Sequence, residues 1–150
     1  MNIVYEKSLS VDDYCKLRES VNFYPIPESI VKKALDKADF IISASIDSDT
    51  VGMGRLITDG TQALIMDVVV HPDFQGYGIG RGLMERINQY IKSEYDQMLV
   101  NLLTDETKID FYKKFGYNTE LGMRIWHGIW RRDYLVENRT GNVRFDFECC

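Results

Sequence analysis

The stretch "VVVHPDFQGYGIGRGLMERI", residues 68 to 87, constrains the fold more than any other part of the chain. A β-branched run ends in a segment with four glycines in seven positions, Gly76, Gly78, Gly80 and Gly82. Ile79, Leu83, Ile87 and Ile91 then recur at i+4 while Arg81, Glu85, Arg86 and Lys92 take the other faces, the pattern of an amphipathic helix. A strand that feeds a glycine-rich turn opening a helix is suited to an anion, because backbone can approach closely and unpaired N–H groups at the helix start meet negative charge. Upstream, "FIISASI", "VGMGRLI" and "ALIMDVVV" are predicted to be three successive strands. The turn signals "DSD" (47–49) and "TDG" (58–60) stand at hairpin distance, so an antiparallel meander is expected.

The remaining elements follow from local chemistry. Ser10 precedes "VDDYCKLRESV" and caps a helix with Val11, Tyr14, Leu17 and Val21 on one side. Pro25 and Pro27 break "NFYPIP", and a second short helix over roughly "ESIVKKALDKA" follows. "QMLVNLL" is predicted to be a strand, "ETKIDFYKKF" a helix ended by Gly116, and "MRIWHGIW" a last strand. Residues 131–150 are an unplaced, more polar extension. With 150 residues, 45% of them hydrophobic, and no repeat or linker, a single α/β domain over 1–150 is expected. A net charge of -5 argues against nucleic acid as a partner. The N-terminus has no leader pattern and no run reaches the ~18 apolar residues of a membrane span, so a cytoplasmic location without membrane contact is expected. Cys15, Cys149 and Cys150, with His71 and His127, form neither a disulfide framework nor a metal-ligand spacing, and no metal is expected.

Three phosphate-binding classes use a glycine corner of this kind. A Walker loop needs a lysine followed by Ser or Thr, whereas Arg81 stands five residues beyond Gly76. The dinucleotide fingerprint fails in register, since its third glycine would fall on Arg81 or Leu83. What remains is [Q/R]-x-x-G-x-[G/A], filled by Gln75, Gly76, Tyr77, Gly78, Ile79 and Gly80. Together with "FYKKFGY" at 111–117, similar to F-Y-x-K-x-G-[FY], it resembles the GNAT superfamily of acetyl-CoA-dependent N-acyltransferases, over about residues 2 to 130. The resemblance implies an α/β (α+β) GNAT fold, with a central mixed, mostly antiparallel sheet of six to seven strands flanked by about four helices. It also implies acetyl-CoA as cosubstrate, with the diphosphate on backbone N–H groups from Gln75 to Arg81 and the pantetheine arm along Val68, Val69 and Val70 as a guest strand.

The same resemblance places a general acid at Tyr112, which would protonate the departing thiolate, and a carboxylate for the amine at Asp67. From the residues alone, Tyr112 also reads as a core aromatic, and Asp67 as a structural carboxylate that caps a loop or pairs with Arg55. Relatives with a glutamate beside that position differ from this chain, which has Met66. His71 opens an exposed loop and is a weaker candidate base. The resemblance implies an acceptor pocket around Phe23, Tyr24 and Trp126, beside Asp67, and aromatic walls with a carboxylate suit a hydrophobic or aromatic primary amine. The activity implied is acetyl transfer to a primary amine of a small molecule (polyamine, arylalkylamine, aminosugar or amino-acid type) by direct attack in a ternary complex. A protein or peptide acetyltransferase and a non-catalytic acyl-CoA sensor are the alternatives, and homodimers are frequent in the superfamily that the chain resembles.

Overall fold

The computed structural model describes residues 1–123. Its elements are β1 (Val4–Glu6), α1 (Val11–Ser20), α2 (Glu28–Asp36), β2 (Phe40–Ile46), β3 (Asp49–Thr58), β4 (Gln62–Val70), α3 (Ile79–Glu94), β5 (Leu99–Leu102) and α4 (Ile109–Lys113). Short 3-10 turns at Pro72–Phe74 and Glu106–Lys108 precede α3 and α4. The strands form one sheet in sequence order, antiparallel from β1 to β4, with β5 added parallel to β4. The mixed, mostly antiparallel sheet and its four helices are those expected, but five strands are described rather than six or seven. The extra strand expected at "MRIWHGIW" falls, apart from Met123, outside the described residues, as do residues 131–150.

Local chemistry explains most boundaries. The Ser10 side chain accepts from the Asp13 N–H at 3.0 Å while its hydroxyl donates to the Asp13 carboxylate at 2.8 Å, which fixes the start of α1. Asp47 and Ser48 both adopt positive φ (49° and 71°), as a two-residue primed hairpin turn requires, and Ile46 pairs directly with Asp49. In the next hairpin the Asp59 carboxylate accepts from the N–H groups of Thr61 and Gln62, and Gly60 sits at φ 92°. Gly116, at φ 90°, follows the short α4.

The sheet separates two cores. On one face, Ile79, Leu83, Ile87 and Ile91 of α3 pack against Ile42, Ala44, Leu56, Ala63 and Ile65, the i+4 stripe expected for this helix. On the other, Tyr14, Leu17, Val31 and Leu35 of α1 and α2 meet Met53 and Val69. Gly52 and Gly54 of β3 lie under α3, where a Cβ would press on Ile79 and Ile87, and their bareness lets the helix sit close to the sheet. Among the described residues, no helix is long and apolar enough to cross a membrane, and no group of three His, Cys, Asp or Glu is placed to hold a metal ion.

Candidate active site

A β-bulge in β4 organises the site. Arg55 pairs with Met66 and Met53 with Val69, so Asp67 and Val68 together face the single residue Gly54 on β3. Asp67 takes φ 52°, a left-handed conformation uncommon for residues other than glycine. The bulge breaks the period-2 alternation of the strand. Ala63, Ile65 and Val68 face the α3 core, whereas Val69 enters the core under α1 and α2.

The carboxylate of Asp67 points into that second face and is fixed from three directions. Arg55 Nε donates to Oδ2 at 2.6 Å, Tyr14 Oη donates to Oδ2 at 2.8 Å, and Arg18 Nη1 donates to Oδ1 at 2.6 Å. The Asp67 and Arg18 side chains are each 8% exposed, so these charge-assisted bonds are shielded from solvent. Burial, and then the Asp67 charge, push the Tyr14 phenol well above its usual range. The pairing of Asp67 with Arg55 considered from sequence is thus present, and α1 contributes two partners that the sequence reading did not identify. Tyr14 and Arg18 are four residues apart on the buried face of α1, where a charged residue on an apolar stripe was the available signal.

Beyond the bulge, the outer edge of β4 opens. Pairing with β5 ends at Ile65 opposite Leu102, while β3 continues beside Val69 and Val70. Among the described residues no strand covers Val68–Val70 on the far side. The chain then folds back, with the Gln75 side chain donating to the Val70 carbonyl at 3.0 Å, while the Asp73 N–H donates to His71 Nδ1 at 3.3 Å.

The four glycines of the corner have different tasks. Gly76 and Gly78 sit at φ 85° and 81°, and nothing lies within 4 Å of where their Cβ atoms would be, so this backbone faces open space. Gly78 is the N-cap residue of α3 and provides no side chain to satisfy the first-turn N–H groups. Gly80 adjoins Phe111 and Val70, which brings α4 against the loop and the end of β4. Gly82 answers to packing alone, because a Cβ there would overlap the Tyr5 ring and hydroxyl. Tyr77, between the two left-handed glycines, is exposed, and Arg81 pairs with Glu85 at 2.8 Å. Tyr112 is 4% exposed and meets the rings of Phe111 and Tyr117 edge-on. The Tyr117 hydroxyl donates to Asn88 Oδ1 at 2.9 Å, and burial pushes its pKa up to about 12.

Phe23 and Tyr24 share a cavity of about 520 Å³ between α1 and α2. Ile26 and Val31 add apolar wall, and Cys15, whose thiol pKa is raised by burial, lies beside them. Arg18 reaches the cavity from behind, with its guanidinium carbon 4.9 Å from the ring centres of both Phe23 and Tyr24. Its Nη2 donates to the Tyr24 carbonyl at 3.1 Å. Asp67 is one layer deeper, on the far side of Arg18, and is not part of the cavity wall. The third residue expected in the acceptor site, Trp126, lies outside the described residues.

Comparison with known proteins agrees with this geometry. Residues 37–119, more than half of the chain, match the model of the acetyltransferase (GNAT) domain. The uncharacterized N-acetyltransferase ycf52 of Pyropia yezoensis is 33% identical over 74% of this chain, and that of Gracilaria tenuistipitata var. liui is 32% identical over 77%. The chain spans 66% of the length of these relatives. A probable acetyltransferase of known structure from meticillin-resistant Staphylococcus aureus is 31% identical, with a TM-score of 0.75 over 84% of this chain and 98% of that one. A glucosamine-6-phosphate N-acetyltransferase from Arabidopsis thaliana, 17% identical, shares the fold with a TM-score of 0.69 over 85% of this chain and all of its own. By the family match across its sheet, glycine corner and α4, this chain belongs to the GNAT family of acetyltransferases.

Proposed function

We propose that the protein transfers the acetyl group of acetyl-CoA to a primary amine of a small molecule, by direct attack within a ternary complex. The observation that carries this reading is the uncovered edge of β4 at Val68–Val70, ending in a glycine loop whose backbone faces open space. An extended, amide-bearing pantetheine arm completes such an edge as a guest strand would. The diphosphate meets backbone N–H groups of the loop and the first turn of α3, from Gln75 through Gly76, Tyr77, Gly78, Ile79 and Gly80 to Arg81. One N–H of the β4 edge polarises the thioester carbonyl, an effect of about 10²- to 10³-fold in rate where such donors have been removed.

In the chemical step the neutral amine nitrogen bonds to the carbonyl carbon, the carbon–sulfur bond breaks, the thiolate takes a proton from Tyr112, and the nitrogen's surplus proton passes through water to restore the Tyr112 hydroxyl. As a class, phenols titrate near ~10 in water and can donate a proton to a thiolate leaving group. The amine must arrive uncharged. Asp67, already engaged by two guanidinium groups and a phenol, contributes by fixing its surroundings rather than by taking the amine proton. Phe23 and Tyr24 form the acceptor end, and the apolar cavity they share favours an amine with a hydrophobic or aromatic body.

The test is release of free CoA thiol from acetyl-CoA over a panel of polyamines, arylalkylamines, aminosugars, amino acids and short peptides. Turnover with one class of small amine supports the reading and names the acceptor. Turnover with peptides alone replaces it with a protein-modifying activity. Tight acetyl-CoA binding without turnover on any acceptor points to a sensor.

A further inference from the structure

We infer that Arg18 is a positioning residue that sets the acceptor cavity relative to the thioester edge of β4. This rests on the proposed acetyl transfer. One guanidinium group joins the two halves of the site: Nη1 donates to Asp67 at the bulge, and Nη2 donates to the Tyr24 carbonyl on the cavity wall. The rings of Phe23 and Tyr24 flank the same group at 4.9 Å. Asp67 is held in turn by Arg55 of β3, so the link ends on the sheet and not on another loop.

The physical reason is rigidity. "NFYPIP" is a connection without regular structure between α1 and α2; Phe23 and Ile26 pack against the core that holds Val69, but apolar contact is non-directional and does not by itself set an exact distance to β4. Hydrogen bonds at 2.6 and 3.1 Å from a planar fork supply that distance, and their burial shields them from competing water. The bulge that precedes the open edge at Val68–Val70 and the carboxylate that anchors the acceptor wall occur at the same residue. Both substrates are thereby referred to one point of the sheet. Because a misplacement of about 1 Å between reacting groups costs on the order of 10²-fold in rate, such a link governs productive approach more than affinity for acetyl-CoA. The family match begins at residue 37, so Tyr14, Arg18, Phe23 and Tyr24 all lie outside the matched segment.

The experiment uses the full chain and Arg18→Lys, which keeps the charge and most of the stem but cannot span both acceptors. Asp67→Asn serves as a second variant. Hydrogen exchange is followed at residues 22–26, 66–70 and 76–80, with and without acetyl-CoA, beside steady-state kinetics on the amine the panel identifies. Arg18→Lys is expected to speed exchange at 22–26 by about tenfold and to raise the amine KM or lower kcat by about tenfold, with the acetyl-CoA KM within about twofold. The double variant is expected to be less than additive in the amine parameters, because both changes cut one link. Unchanged exchange at 22–26 in a folded Arg18→Lys protein, or equal losses for both substrates, overturns the positioning role. If acetyl-CoA leaves 76–80 unprotected in the wild type, the cosubstrate reading fails and this role fails with it. If 76–80 is protected and Arg18→Lys does nothing to the loop, this role alone is lost.

Discussion

Asp67 Oδ2 accepts from Arg55 Nε at 2.6 Å across the β3–β4 ladder, at the position where the strand carries one residue too many. The ion pair and the bulge are one feature. The extra residue turns the Asp67 side chain toward α1, and Arg55, Arg18 and Tyr14 give a buried carboxylate the donors it needs there.

That arrangement predicts a large cost for removing the charge. Asn adopts positive φ readily, so Asp67→Asn leaves the backbone unstrained while it removes the charge and sets an amide N–H against one of the donors that Asp67 accepts from. Two buried guanidinium groups would lose their shared counter-ion, and a fall in stability of about 3–5 kcal/mol is expected in urea unfolding. A change under about 1 kcal/mol would mean that water or relaxation replaces the carboxylate.

The loop predicts a difference between two substitutions at one glycine. Gly78→Ala and Gly78→Glu both put a Cβ at φ 81°, at a shared cost of about 1–2 kcal/mol, and that Cβ meets no neighbouring atom within 4 Å. Only the second brings a negative charge to the proposed diphosphate site. Calorimetry should find acetyl-CoA binding abolished in Gly78→Glu and weakened by no more than about tenfold in Gly78→Ala. Equal affinities would remove the diphosphate from this loop.

What was legible in the sequence divides along the line between local and non-local causes. Ser10, the "DSD" turn, the i+4 stripe of α3 and the glycine corner announce themselves, because each depends on residues within a turn or two. The bulge does not, since "ALIMDVVV" is an unbroken apolar run apart from one aspartate and its register is decided by β3. Arg18 is half legible: its place on the apolar stripe of α1 marks it as unusual, but its partner Asp67 stands 49 residues away and only the fold brings the two together. The four glycines read as one feature, yet they divide into two left-handed positions, a contact with α4, and a gap for Tyr5.

Gly82 gives a packing test independent of the cosubstrate. A Cβ there would overlap the hydroxyl end of Tyr5, whose ring is also stacked by Arg86 at 3.6 Å, so relieving the overlap moves that pair. Gly82→Ala is expected to destabilise the fold by at least about 2 kcal/mol despite the higher helix propensity of alanine. Adding Tyr5→Leu should recover part of that loss. Full additivity of the two changes in thermal or urea unfolding would show that the overlap is relieved elsewhere.

Tyr112 separates packing from catalysis. Phenylalanine retains the ring that meets Phe111 and Tyr117 at this buried site. If the hydroxyl is the proton donor, Tyr112→Phe should keep acetyl-CoA affinity within about twofold and lose about 10²- to 10⁴-fold in kcat. Parallel loss of binding and turnover would assign the hydroxyl to structure.

Tyr117 predicts the shape of the alkaline limb of stability. Burial disfavours its phenolate, so its pKa stands at about 12 in the folded protein against 10.0 for the free side chain. The folded state therefore binds this proton more tightly than the unfolded state. The stabilisation is complete below pH 10 and is lost as pH rises from 10 through about 12. Tyr117→Phe cannot ionise, and it also forfeits the hydrogen bond to Asn88. Urea midpoints should show the variant less stable at pH 8, by about 0.5–1.5 kcal/mol, with a shallower decline above pH 10. The buried phenol of Tyr14, shifted in the same direction, keeps some alkaline slope in both proteins. Two curves that stay parallel across the range would mean that Tyr117 ionises no differently folded than unfolded.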